Sequence, residues 1–287
     1  MSFDVLQGKI DALRNPAVVG LDPTDALVPA QLMKNGAAAA FLEFNKGLID
    51  ALCDIVPAVK PQLAYYERLG VPGVQALCET AEYARAKGMY VIADAKRGDV
   101  GSTAEAYSDA FLGADRPFDA VTVNGYLGSD GILPFLDAAK KYDKAIFVLV
   151  KTSNPSSGEL QDLEVGGKKI YEIVGELIER IARDTIGARG FTRAGAVVGA
   201  TYPAELKRLR STLKSAFFLV PGYGAQGGGA QDAAGAFNAE KRGAIVNSSR
   251  AVIGAWKHTG NGGRDYQEAA RAEALNMRGA LRSAIGL

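Results

Sequence analysis

Asp94, Lys96 and Asp99 lie close together in the sequence, and the first two end an apolar run, MYVIADAK. Because side chains alternate along a strand, Asp94 and Lys96 would project from the same face. Lys60 ends another apolar run, IVPAVK, and would join them in an array of alternating charge. The alternative interpretation is a buried ion-pair network that only stabilises the fold.

Such an array favours one kind of chemistry. An ammonium group held among carboxylates stays protonated, which makes Lys96 a general acid rather than a Schiff-base nucleophile. A carboxylate such as Asp94 would repel an anionic substrate group, and this repulsion is relieved when the negative charge leaves or moves. The array therefore predicts loss of CO₂ followed by protonation of the resulting carbanion.

A second constellation combines a glycine-rich segment, PGYGAQGGG at 221–229, with Arg250. Glycines allow backbone N–H groups to approach and surround an anion, and an arginine adds a charged fork. A glycine-rich segment alone is most often a turn. Together with Arg250 and the strand count below, it predicts a phosphate-binding site.

Eight short apolar runs alternate with stretches of helical periodicity. Strands that alternate with helices form parallel sheets, and eight such units close a barrel. We therefore predict an α/β fold, a single-domain (β/α)₈ TIM barrel. An open doubly wound sheet is the alternative, but it would usually have a glycine-rich turn after its first strand. The predicted strands cover 17–22, 55–60, 89–96, 118–124, 145–151, 195–200, 216–221 and 244–249.

Polar residues stand at the carboxyl ends of most of these predicted strands. In a barrel of this type, those ends and the loops that follow them form the catalytic face. The sequence therefore predicts that these side chains converge. They are Asp22, Lys60, Asp94, Lys96, Thr122, Asn124, Lys151, Ser248, Ser249 and Arg250.

The predicted domain covers residues 1–287, with an N-terminal helix before the barrel and a C-terminal helical tail after it. The segment 152–168 is too long and too polar for a routine connection between a strand and a helix. It is either a disordered surface insertion or a mobile loop that closes over a ligand, and we predict the mobile loop.

Composition narrows the function classes. The formal net charge of +1 gives no reason to expect nucleic acid as a partner. No apolar run is long enough to span a membrane, and the polar N-terminal segment does not resemble a signal peptide. Cys53 and Cys78 form no metal-binding pattern, and His258 is the only histidine, so a zinc site or a histidine triad is disfavoured. We expect a cytoplasmic protein with free thiols.

The segment Asp94-Ala95-Lys96-Arg97-Gly98-Asp99 fits a D-x-K-x-x-D motif. Together with the segment PGYGAQGG and Arg250, it resembles the orotidine 5′-phosphate decarboxylase family, in particular its longer bacterial subgroup, type 2. The sequence departs from the family's frequent pattern at Val100-Gly101, where Ile-Pro is common, and at Ser249, where glycine is common.

The resemblance implies conversion of orotidine 5′-phosphate to uridine 5′-phosphate (UMP) and CO₂, the last step of de novo UMP synthesis, without metal or cofactor. Asp94 would stress the substrate carboxylate, and Lys96 would protonate C6 of the pyrimidine. A homodimer is implied, in which Asp99 and Thr103 reach the partner's active site. The implied substrate-binding residues are Asp22 and Lys60 for the ribose hydroxyls, Ser153 for the pyrimidine, and Pro221, Gly224, Gln226, Ser249 and Arg250 around the phosphate.

Three other functions remain open at this point. Mg²⁺-dependent sugar-phosphate decarboxylases and aldolases of the same suprafamily are expected to carry a carboxylate at the end of the second strand, where this chain has Lys60. A non-catalytic barrel that binds a phosphate ligand would have no need of the charge array, which costs desolvation energy. A Schiff-base aldolase would use Lys96 as its nucleophile.

Overall fold

The computed structural model describes residues 2–224 and 228–287. Eight parallel strands form a closed barrel, in the spatial order β1-β8-β7-β6-β5-β4-β3-β2. This confirms the predicted (β/α)₈ barrel. The strands are β1 Ala17–Leu21, β2 Ala58–Pro61, β3 Tyr90–Arg97, β4 Ala120–Val123, β5 Ala145–Lys151, β6 Ala194–Val198, β7 Phe218–Val220 and β8 Ala244–Ser248.

Helices surround the barrel and connect its strands, and none in the two described ranges is long and apolar enough to cross a membrane. They are α1 Ser2–Leu13, α2 Ala37–Leu52, α3 Leu63–Glu67, α4 Val71–Ala86, α5 Gly101–Leu112, α6 Ser129–Lys141, α7 Gly158–Gln161, α8 Ile170–Ile181, α9 Pro203–Thr212, α10 Ala230–Ala234, α11 Arg250–Ile253 and α12 Tyr266–Ile285. Short 3₁₀ helices cover Ala30–Asn35, Pro155–Ser157, Arg183–Thr185 and Ala255–His258.

Successive side chains along the strands point alternately into two hydrophobic cores. Tyr90 and Ile92 belong to the core inside the barrel, whereas Val91, Ala93 and Ala95 pack in the core between the barrel and its helices. This arrangement confirms the alternation predicted for β3. It also directs the next residue of the inward series, Asp94, toward the mouth of the barrel.

The first helix closes the amino-terminal end of the barrel. The ring of Phe3 lies 4.9 Å from that of Phe147 and 5.0 Å from that of Phe217, measured between centroids. The side chain of Gln7 accepts a hydrogen bond from the backbone of Gly243, and Asp11 pairs with Arg242. The helix thus seals the end of the barrel opposite to the predicted catalytic face.

The segment 152–168 contains regular elements. The 3₁₀ helix Pro155–Ser157 leads into α7, and a short antiparallel hairpin then pairs Glu164–Val165 with Lys168–Lys169. Closure of this segment over a ligand remains a prediction.

Candidate active site

Asp94 is the centre of the charge array at the mouth of the barrel. Its carboxylate accepts hydrogen bonds from Lys60 Nζ at 2.6 Å and from Lys96 Nζ at 2.5 Å. Gln62 Nε2 and Thr122 Oγ1 each donate a further hydrogen bond to it at 3.1 Å. The side chains of Lys60 and Asp94 are only 5% and 9% exposed, whereas that of Lys96 is 45% exposed. Lys96 is therefore the cation of this array that a bound substrate reaches most easily.

The array keeps its charges despite burial. Burial alone would raise the pKa of Asp94, but the charges and hydrogen bonds of Lys60 and Lys96 outweigh it and hold that pKa well below its ordinary value. Burial alone would lower the pKa of Lys60, but Asp94 and Asp22 outweigh it and raise that pKa. Asp94 and Lys60 are thus both ionised at neutral pH.

The backbone at Lys96 departs from regular strand geometry. The register between β3 and β4 shifts between Ala93 and Arg97, and Lys96 has a φ of +49°. A non-glycine residue with positive φ is uncommon and is strained unless its surroundings hold it. Here Thr122 Oγ1 accepts the Lys96 N–H at 2.9 Å, and the Arg97 side chain donates to the Ala95 carbonyl at 2.8 Å. These contacts hold Lys96 in the conformation that pairs its ammonium with Asp94.

A cavity of about 620 Å³ opens above the array. Leu149, Val197 and Leu219 line it with apolar side chains, and the charged residues lie at the ends of β1, β2 and β3 and, in the case of Arg250, after β8. A cavity with an apolar wall and a few converging polar groups is typical of a small-molecule site. The predicted site residues that line it are Asp22, Lys60, Asp94, Lys96, Ser153, Pro221, Ser249 and Arg250.

Three of the predicted catalytic and substrate-binding residues do not line this cavity. Asp99 and Thr103 lie beyond β3 and at the start of α5, and Thr103 is exposed. The N–H of Gly224 donates to the Gly228 carbonyl at 2.8 Å, so in this conformation its backbone donor is already occupied. Gln226 lies outside the described residues.

Asp22, one of the residues predicted to bind the ribose, carries a buried hydrogen-bond acceptor. Asp22 Oδ1 is buried and has no hydrogen-bond partner within residues 2–224 and 228–287. Buried polar atoms are nearly always hydrogen-bonded, so this atom is positioned to accept a hydrogen bond from a bound group. Asp22 also contributes to the raised pKa of the neighbouring Lys60.

Ser249 and Arg250 follow β8, the strand that pairs with β1, and both line the cavity. The Ser249 hydroxyl accepts a hydrogen bond from Asn247 Nδ2 at 3.2 Å. A Cβ atom on Gly20 would lie 1.9 Å from the Ser249 Oγ, so a glycine is required at position 20 for Ser249 to take this place. The side chain of Ser249 thus fills part of the wall next to Asp22.

Sequence reasoning missed several cavity residues. Gln62 lies two residues beyond Lys60 and hydrogen-bonds Asp94, and the buried Asn247 belongs to β8 itself. A polar residue inside an apolar run, as in AIVNSS, was the available signal for Asn247. Tyr65 and Tyr223 also line the cavity but follow their strands at distances that indicate no orientation.

Among residues 2–224 and 228–287, no group of three or more histidine, cysteine, aspartate or glutamate side chains is arranged to hold a metal ion. The end of β2, where a carboxylate would be expected to bind Mg²⁺ in the alternative reaction, carries the Lys60 ammonium instead. Because like charges repel, this ammonium opposes a cation at that position.

Comparison with known proteins agrees with this geometry. Residues 16–262 match the model of the orotidine 5′-phosphate decarboxylase / HUMPS family. The chain is 44% identical over 276 residues to orotidine 5′-phosphate decarboxylase of Rhodopirellula baltica, covering 90% of this chain and 91% of that one. It is 41% identical over 270 residues to the enzyme of the same name from Clostridium perfringens strain 13, covering 93% of each.

Among solved structures, the fold resembles that of Leishmania donovani OMP decarboxylase, with a TM-score of 0.76 and 34% identity. The match covers 97% of this chain and 99% of that one. With its barrel, its charge array and these relatives, the chain belongs to the orotidine 5′-phosphate decarboxylase family.

Proposed function

We propose that this protein decarboxylates orotidine 5′-phosphate to UMP and CO₂, the last step of de novo UMP synthesis. The observation that carries the proposal is the Lys60–Asp94–Lys96 array, which faces a cavity that also contains Arg250. The array supplies a fixed carboxylate and an accessible ammonium, in the same cavity as an arginine that would bind the phosphate.

The reaction follows from the charges of the array. Asp94 stays ionised and repels the substrate carboxylate. This repulsion is relieved as CO₂ departs. The C6–carboxylate bond breaks and its electron pair remains on C6, next to the preorganised positive charge of Lys96. The Lys96 ammonium then gives a proton to C6. The reaction requires neither an oxidant nor a reductant, and the proposal includes no metal or cofactor.

Substrate binding is assigned by the surroundings of each residue. Asp22 and Lys60 would hold the ribose hydroxyls, because the unpartnered Asp22 Oδ1 needs a donor. Ser153, across the cavity, would contact the pyrimidine amide edge. Arg250 and the backbone near Ser249 would bind the phosphate, with Pro221 beside them. Gly224 and Gln226 belong to the predicted phosphate loop, and Gly224 would have to exchange its contact with Gly228 to take part.

The proposal includes a homodimer in which Asp99 and Thr103 complete the partner's site. Both residues lie outside the cavity of their own chain, and large apolar side chains are exposed on the neighbouring loops. Val100 is 48% exposed and Tyr126 is 77% exposed, and exposed apolar surface of this kind is typical of an interface. Mixing Asp99→Asn with Lys96→Ala protein should restore part of the activity if each site uses both chains. Mixtures that stay as inactive as the single variants would contradict it.

A cytoplasmic location also belongs to this proposal. Cys53 and Cys78 are both free thiols in the structure, as is usual in a reducing compartment.

The test is loss of orotate absorbance with orotidine 5′-phosphate as substrate, in the presence and absence of EDTA. We expect turnover that EDTA leaves unchanged. Activity abolished by EDTA and restored by Mg²⁺ would favour the metal-dependent members of the suprafamily. Tight binding of UMP with no turnover would favour a binding protein.

A further inference from the structure

Lys151 ends β5, yet its side chain does not enter the cavity. The register between β5 and β6 shifts at this point, because Leu149 lies opposite Val197 while Lys151 lies opposite Val198. The extra residue on β5 is a bulge, which turns the following side chain to the other face of the strand. Lys151 is completely buried as a result.

The buried ammonium of Lys151 is bound on several sides. Its Nζ donates to Asp162 Oδ1 at 2.9 Å and to Ser157 Oγ at 3.3 Å. It also lies over the ring of Tyr202, 4.6 Å from the centroid, and over that of Tyr171 at 5.5 Å. The hydrogen bond from Lys151 is the main cause of a lowered pKa at Asp162. These contacts tie residues of the 155–162 segment to the end of the barrel strand.

Complete burial of a lysine ammonium, paired here with an Asp162 side chain that is 35% exposed, is a costly way to stabilise a fold, because apolar side chains of similar size often do so equally well. A pair of this kind can instead specify one arrangement of the chain around it. The arrangement specified here is that of the segment that follows β5.

The other side of the same segment forms part of the cavity wall. Gln161 accepts the Thr152 N–H through Oε1 at 2.9 Å and donates from Nε2 to the Thr152 hydroxyl at 2.7 Å. Ser153 packs closely on Gly199, where an added Cβ would lie 2.9 Å from the Ser153 Cβ. Thr152 and Ser153 both line the cavity. Gln161, which binds Thr152, and Asp162, which binds Lys151, are thus adjacent residues of one short turn.

We propose that Lys151 is a positioning residue for substrate binding. Its hydrogen bonds to Asp162 and Ser157 hold the segment 155–162 in place. The hydrogen bonds of Gln161 in that segment then fix Thr152, and with it the adjacent Ser153, on the cavity wall. The inference rests on the proposed function, in which Ser153 contacts the pyrimidine. Loss of the Lys151 pair therefore weakens recognition of the base, while the Lys96 array and the Arg250 side are left intact.

The experiment compares Lys151→Met and Asp162→Asn with the wild type, using kcat and KM for orotidine 5′-phosphate and inhibition constants for UMP and ribose 5-phosphate. We expect the inhibition constant of UMP and the KM to rise about tenfold, as for loss of one or two well-placed hydrogen bonds. The inhibition constant of ribose 5-phosphate, which has no base, should stay within about twofold. The double variant should resemble the worse single variant, since both remove the same pair.

Lys168→Met is the matched control. Lys168 belongs to the hairpin that follows the segment 155–162 and pairs with Glu176 at 2.6 Å, but both side chains are about half exposed. An exposed pair contributes little, so this variant should bind both ligands like the wild type. Asp162→Asn keeps the size of the side chain and tests the proposal even if Lys151→Met fails to fold.

The outcomes separate the two proposals. A wild-type protein that does not turn over orotidine 5′-phosphate overturns the proposed function. If the wild type is active, equal weakening of UMP and ribose 5-phosphate in Asp162→Asn would show a general loosening of the structure and contradict the positioning role. Unchanged binding of UMP in this variant would contradict it as well.

Discussion

The carboxyl ends of β3 and β5 make an instructive pair, because each carries a lysine next to a register shift. Lys96 on β3 is 45% exposed and pairs with Asp94 in the cavity. Lys151 on β5 is fully buried outside the cavity and pairs with Asp162. In the sequence the two look alike, since both follow apolar runs and both were expected at the mouth of the barrel. That expectation was wrong for Lys151.

The difference shows that alternation predicts the face of a residue only while the strand stays regular. In β5 the inward series Ala145, Phe147 and Leu149 would continue with Lys151, but the bulge reverses its direction. In β3 the shift occurs where Lys96 adopts positive φ, and contacts with Thr122 hold its ammonium on Asp94. A charge at a strand end is therefore insufficient evidence for catalysis without the backbone that aims it.

Replacement of Lys96 should give the largest effect on activity. We expect Lys96→Ala to lower kcat by about 10³-fold or more, because it removes the proton donor and a charge that stabilises the carbanion. Its melting temperature should change less than that of Lys151→Met, since Lys151 is the more buried of the two. Steady-state kinetics and thermal unfolding of both variants test this contrast. Comparable loss of kcat in the two would contradict the division of roles.

Asp94→Asn should make the free energy of unfolding depend on the pH, through the titration of Lys60. In the wild type, the pKa of Lys60 is raised above its ordinary value of 10.5 by folding. The charged Lys60 therefore stabilises the folded state fully at every pH below 10.5. The lowered pKa of Asp94 keeps its own contribution at all pH values above its ordinary 3.8. In the variant, burial of Lys60 should outweigh the remaining attraction of Asp22, because burial is the largest single influence on the pKa of Lys60. That pKa is then lowered, so the folded state holds fewer protons than the unfolded state.

The free energy of unfolding of Asp94→Asn should therefore rise with pH between about 7 and 10. Over that range the wild type should show no such rise from this site. Urea unfolding at several pH values provides the measurement. Parallel pH profiles for the two proteins would show that Lys60 does not depend on Asp94.

Gly199→Ala should have the smallest effect and should act on binding at the β5 end. The new Cβ would lie 2.9 Å from the Ser153 Cβ and 3.1 Å from its backbone, so it would displace Ser153 slightly. We expect KM to rise a few-fold while kcat falls less, in proportion to one weakened hydrogen bond. Gly279→Ala in α12 is the control, because its Cβ would meet no atom within 4 Å. A larger effect on kcat than on KM would place Ser153 in the chemistry.

The sequence predicted the barrel well because the strands of a parallel barrel are buried on both faces and are therefore continuous apolar runs. It predicted Asp94 and Lys96 because they extend the regular alternation of β3. It could not predict the bulge before Lys151, which buries that side chain against Tyr171 and Tyr202, both distant in the sequence. The roles of Gln62 and Asn247 were missed for a similar reason, because the contacts that distinguish them join separate strands and loops.

The closure of the barrel by α1 has a consequence for the order of folding. Phe3, Gln7 and Asp11 find their partners at Phe217, Gly243 and Arg242, which leave the ribosome only when most of the chain has been made. Contacts of such long sequence separation form late and slowly. α1 therefore completes its docking only after β7 and β8 have been made, and protection of α1 from proteolysis reports completion of the whole barrel.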